Sequence, residues 1–156
     1  MTNPVPAGFH TLTPHLIVAD GAAAIEFYQK AFGATECFRM MSPDGKALMH
    51  AQVKIGDAML MLGSEFPPDC LSPKNRGGTS VFLHIYTADA EALFARAVKA
   101  GCKIQMPMSD CFWGDRYGQV EDPFGHKWSI AMHQHDYTPA QIEANAKEFF
   151  SKMPKC

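Results

Sequence analysis

The chain has 156 residues, 47% of them hydrophobic, with 14 basic and 16 acidic side chains and a formal charge of -2. That length suits one ordinary domain or two small fused modules and is enough for a core without covalent staples. The near-neutral balance gives no basic surface for nucleic acid or an anionic membrane, and the longest apolar runs, such as 58–62, are far below the roughly 20 residues that span a bilayer.

The opening residues, MTNPVPAGFHTL, lack the basic start and apolar stretch of a secretory signal. Cys37, Cys70, Cys102, Cys111 and Cys156 form an odd set without a C-x-x-C pair, which reads as free thiols in a reducing, cytoplasmic setting. The ten methionines read as adaptable core filling.

The first element is a β-rich run, His15-Leu16-Ile17-Val18-Ala19, that meets Asp20 at a helix-start position. The helix that follows carries Ala24, Phe27, Tyr28 and Ala31 at spacings of three and four and stops at Gly33. ALMHAQVKI, a Gly56-Asp57 turn and AMLML then form a hairpin. The Pro-, Gly- and Ser-rich segment 64–80 reads as a linker, long enough to act in part as a mobile cover.

The pattern then repeats, 69 residues on. His84-Ile85-Tyr86-Thr87-Ala88 meets Asp89, a helix with Leu93, Ala97 and Val98 on one face follows, and Gly101 ends it. GQVE, a type I turn at Asp122-Pro123-Phe124-Gly125 and HKWSIAM close the second copy. Module one is placed at about 11–66 and module two at about 79–134. Thr138-Pro139-Ala140-Gln141 is a capping box opening a last helix at about 138–151, whose face of Ile142, Ala146, Phe149 and Phe150 packs on the body or on a second subunit.

Alternation along the strands sorts side chains by face. Met49, Ala51, Val53 and Ile55 are expected under the helices, and Leu48, His50, Gln52 and Lys54 on the polar face. Leu16 and Val18 oppose Thr13, His15 and Ile17, while Leu83 and Ile85 oppose Phe82, His84 and Tyr86. His15, His50 and His84 could therefore converge in a curved sheet, as metal ligands or as hydrogen-bonded residues of a wet cleft. No H-x-H or H-E-x-x-H spacing supports the metal. His10, His126, His133 and His135 are expected to be exposed.

The cluster Cys111 to Gly118 adds Trp113, as a wall of an apolar pocket, and Arg116, as a two-point anchor for a carboxylate or phosphate. The structural alternative is a turn locked by Asp115 and Arg116 or by Asp115 and main chain. There is no Gly-rich phosphate loop, no G-x-S-x-G and no paired-carboxylate motif.

TPHLIVADGAAAIEFYQKAFGA, MHAQVKIGDAMLML, FWGDRYGQVEDPFGHKWSIAMH and TPAQIEANAKEFF together resemble the PhnB-like branch of the vicinal-oxygen-chelate superfamily, which includes glyoxalase I, bleomycin-resistance proteins and extradiol dioxygenases. The resemblance covers about residues 11 to 151. It implies an α+β fold of two tandem βαβββ modules forming curved mixed sheets around a cavity, plus the C-terminal helix, as a single domain over 1–156 and in a homodimer. By it, the metal-ligand positions of the superfamily fall on Thr13, Met61, Phe82 and Ser129, a poor ligand set.

The expectation is a glyoxalase/bleomycin-resistance-like protein without its own metal. It would bind a small organic ligand in a cleft of His15, His50, Gln52, His84, Trp113 and Arg116, with Arg116 as the anchor for an anionic group. No cofactor is expected. The alternative is a lyase, isomerase or dioxygenase with a divalent metal on a displaced histidine set. A third reading is an interaction module acting through the C-terminal helix.

Overall fold

A computed structural model describes residues 3–153, so Cys156 lies outside the described residues. Module one runs β1 (His15–Val18), α1 (Gly21–Phe32), β2 (Thr35–Met41), β3 (Leu48–Ile55) and β4 (Ala58–Ser64). A short helix α2 (Pro73–Arg76) lies in the connection. Module two runs β5 (Phe82–Tyr86), α3 (Ala90–Ala100), β6 (Lys103–Asp110), β7 (Asp115–Glu121) and β8 (Lys127–His133), and α4 (Pro139–Ser151) follows.

The local chemistry of each copy explains its helix. Asp20 accepts from the N–H of Ala23 and Asp89 from that of Ala92, each satisfying an amide of the first turn. Gly33 ends α1 in the left-handed region at φ 69°, where a Cβ would be unfavourable. Each module forms a four-stranded mixed sheet, ordered β1-β4-β3-β2 and β5-β8-β7-β6, with the first and last strands parallel.

The third strand departs from simple alternation. Met41 pairs with Leu48 while Met40 pairs with His50, so Met49 is the extra residue of a β-bulge. Leu48 is turned under the helix at 2% exposure and Met49 outward at 50%, the reverse of the expectation for these two. Gly21 is required above Leu48, since a Cβ there would overlap its side chain. The strands β2 and β6 carry no clear period, because most of their residues are exposed on both faces.

The modules meet through helices and one buried carboxylate. Arg96 of α3 donates to the carbonyls of Lys30 (2.6 Å) and Gln29 (2.8 Å), capping the end of α1. Trp128 packs on Phe32 at 4.4 Å and Tyr28 at 5.4 Å between ring centres. Asp122, 3% exposed, accepts from Tyr28 Oη, Trp128 Nε1 and the amides of Phe124 and His126. The turn predicted at 122–125 is closed by Gly125 N–H to the Asp122 carbonyl, 3.1 Å.

His126 is not exposed as expected: it is 8% exposed, and its Nε2 lies 2.9 Å from the carbonyl of Ile17. A carbonyl only accepts, so Nε2 carries the proton. The capping box of Thr138 and Gln141 forms as expected. No residue of α4 is fully buried, and its contacts include Phe149 and Phe150 on Phe112 and Asn145 Nδ2 donating to the Phe112 carbonyl. Cys37, Cys70, Cys102 and Cys111 are free thiols.

Candidate functional site

Each sheet has one face under its helix and one open face, and the pairing aligns the two open faces. In module one, His15, Met61 and Gln52 lie side by side across β1, β4 and β3. In module two, His84, Ser129 and Gln119 occupy the same places across β5, β8 and β7. The repeated histidine is thus accompanied by a repeated glutamine, which alternation alone does not reveal because the two β-hairpins differ by one residue in register.

On module one, the rings of His15 and His50 meet edge to face at 5.8 Å, and Gln52 Nε2 lies 3.2 Å from His50 Nε2. Burial, and then the neighbouring His50, lowers the pKa of His15 below the ordinary 6.5. On module two, His84 Nδ1 is 2.8 Å from Ser129 Oγ, and its ring lies between Tyr86 and Tyr117. Burial lowers its pKa as well, against the opposing pull of Asp115. Gln119 donates to Tyr117 Oη at 2.7 Å.

Trp113 stands at the end of this second face, edge-on to Tyr117. Its Nε1 donates to Asp115, which also accepts from Tyr86 Oη (3.0 Å) and pairs with His133 Nδ1 (2.7 Å). Asp115 is 3% exposed; burial favours its neutral form, but the bonds from His133, Tyr86 and Trp113 outweigh that and hold its pKa below the ordinary value. His133 is bonded on its other side to Asp136, so two carboxylates raise its pKa.

Arg116 is separated from this set. It shares the helix-side face with Gly118, whose neighbours are Phe94 and Met108, and it is paired with Glu91 and, at 3.3 Å, with Asp110. Adjacent residues of a strand point to opposite faces, so Asp115 and Arg116 cannot both join the His84 side, and no Asp115–Arg116 lock forms. Of the six expected cleft residues, His15, His50 and Gln52 share one face, and His84 and Trp113 share another.

A cavity of about 660 Å³ lies between the β3–β4 turn and β5. Phe32, Leu93, Leu83, Ile85 and Trp128 form its depth, and Phe82, His84 and Tyr86 one wall. Neither His15 nor His50 reaches it. The superfamily metal positions hold unsuitable groups: Thr13 donates to the His10 carbonyl, Ser129 is engaged by His84, and Met61 and Phe82 offer a thioether and a ring. Among the described residues, no three or more His, Cys, Asp or Glu side chains are gathered to hold an ion.

Residues 8–130 match the Glyoxalase/Bleomycin resistance protein/Dioxygenase superfamily. The chain belongs to this superfamily. An uncharacterized protein of Mycobacterium tuberculosis is 43% identical over 137 residues, covering 85% of this chain and 80% of that one. The crystal structure of an Arabidopsis thaliana gene product aligns with a TM-score of 0.63 at 25% identity, over 81% of this chain and 99% of the other. TnmS3, an antibiotic binding protein from Streptomyces, shares the fold with a TM-score of 0.60 at 24% identity, over 80% and 96% of the two chains. No helix among the described residues is long and apolar enough to cross a membrane.

Proposed function

We propose that this superfamily member binds a small organic molecule in the cavity beside His84 of module two, without the superfamily's metal. The observation that carries the reading is the 660 Å³ cavity, a volume that suits a small ligand, lined mainly by apolar residues and bordered by His84. Its Nδ1 is held by Ser129, leaving Nε2 for a ligand. Trp113, Tyr117 and Gln119 lie on the open face next to His84, outside the lining of the cavity. TnmS3, the antibiotic binding protein from Streptomyces, lends support at the level of the fold.

We place the protein as a cytoplasmic homodimer of the PhnB-like branch, the last on motifs such as MHAQVKIGDAMLML and FWGDRYGQVEDPFGHKWSIAMH. A metal-dependent lyase, isomerase or dioxygenase has one supporting observation, the pairing of His15 with His50, but the group hydrogen-bonded to His50 is the Gln52 amide, a weak ligand.

Native mass spectrometry after incubation with a small-molecule extract reads both subunit number and retained ligand. The wild-type protein should retain a ligand that His84→Ala loses by at least about tenfold in affinity, or about 1.4 kcal/mol. Identical retention by the two proteins would remove His84 from the site.

A further inference from the structure

The two modules share a fold, yet their edges end differently. The strands β1 and β5 are both edge strands. The Thr87 N–H donates to the Ala131 carbonyl, so Leu83, Ile85 and Thr87 turn their main-chain groups toward β8. Alternation then leaves the main-chain groups of Phe82, His84 and Tyr86 on the free edge. In β1, the Pro14 and Val18 carbonyls accept from Met61 and Glu65, which leaves those of His15 and Ile17 outward.

At β1 the outward carbonyl of Ile17 has a partner. His126 Nε2 donates to the Ile17 carbonyl, and only a smaller cavity of about 290 Å³, bordered by Leu71, Pro73 and Arg76, remains beside the pair. The register identifies the corresponding place in the other module. Met61 stands to His15 as Ser129 stands to His84, so Ala58 holds the place of His126, and Tyr86 that of Ile17. A methyl group thus replaces an imidazole, and the 660 Å³ cavity, lined by both Ala58 and Tyr86, opens there.

The lining also selects on charge. Among the described residues, no Lys or Arg lines the cavity, and Asp57 is its one acidic residue. Its aromatic walls are Phe32, Phe82, Tyr86 and Trp128.

The geometry points to a ligand that completes the second junction as His126 completes the first: an apolar body without negative charge, whose N–H or O–H donates to the Tyr86 carbonyl. This rests on the reading that the cavity beside His84 is the binding site, and it names the class of molecule that enters. An anionic ligand would meet Asp57 with no cation to receive it, and a ligand without a donor would bury the Tyr86 carbonyl unpaired.

Calorimetry on the full chain with four naphthalene probes tests the inference: the methanol, the methylamine, the methyl ether of the methanol, and the carboxylate. The alcohol and amine should bind, with the ether and the carboxylate each at least about tenfold weaker. Ala58→His, which restores the imidazole of the other junction, should abolish binding of all four, and Asp57→Lys on the exposed turn should raise the affinity for the carboxylate. Equal binding of alcohol, ether and carboxylate would overturn the ligand class while leaving the cavity as a binding site. Binding unchanged by Ala58→His, or no binding of any probe, would overturn the inference itself; the His84→Ala comparison then decides the proposed function separately.

Discussion

Replacing Asp122 should loosen the seam between the modules in a graded way. Its Oδ2 accepts from Tyr28 Oη (2.8 Å) and Trp128 Nε1 (2.9 Å), and its Oδ1 from the amides of Phe124 and His126 (both 2.9 Å). In Asp122→Asn one oxygen remains. If it serves the two amides, the new NH₂ faces a hydroxyl that can rotate to accept and an indole that can only donate. One buried donor is then orphaned, at a cost of about 1–3 kcal/mol. Asp122→Ala strands both Tyr28 and Trp128, each almost fully buried, for about 2–6 kcal/mol. Tyr28→Phe removes one donor and leaves the carboxylate three, so about 1 kcal/mol is expected. Urea unfolding followed by circular dichroism measures the series at neutral pH. An asparagine variant within about 0.5 kcal/mol of wild type, or a Tyr28→Phe cost above that of Asp122→Ala, would refute the account of this carboxylate. Since Trp128 lines the cavity, the same variants should also weaken binding of the naphthyl alcohol.

In a histidine NMR titration, His133 should titrate above 6.5 and His15 and His84 below it. By linkage, the contribution of His133 is complete below 6.5 and is lost as pH rises through its raised folded value, whereas that of His15 and His84 is present above 6.5 and is lost as pH falls through their lowered folded values. Reversed positions of these midpoints would contradict the contacts described. Gly114→Ala should detach the segment leading to α4, because φ is 107° there and a Cβ would overlap the His135 carbonyl; a loss of about 1–3 kcal/mol and faster hydrogen exchange at Gln134 and His135 are expected, and unchanged exchange would be inconsistent with this packing.

Much of the architecture is written locally. Asp20 and Asp89 can cap only the turn that follows them, Gly33 and Gly101 end the helices they follow, and the copy at an offset of 69 residues makes each reading confirm the other. Thr138 and Gln141 likewise specify their capping box within four residues. The exposed strands β2 and β6 were hidden because a strand without a buried face has no period to detect.

The candidate site was legible in part. His15, His50, Gln52, His84 and Trp113 stand on open faces, but Tyr117, Gln119 and the Asp115–His133 pair emerge only from register. A bulge at Met49 exchanged two side chains between faces, and a change of one residue between the hairpins gave Ala58 the place in module one that His126 holds in module two. Alternation put Arg116 with Glu91 rather than with the histidines. Caps, turns and periodicity act between near neighbours, so the two modules and their helices can be read from the chain alone. Which residues share a cavity is settled by the packed fold, because side-chain direction across a sheet depends on pairing with strands far along the chain, and one residue of register reverses it.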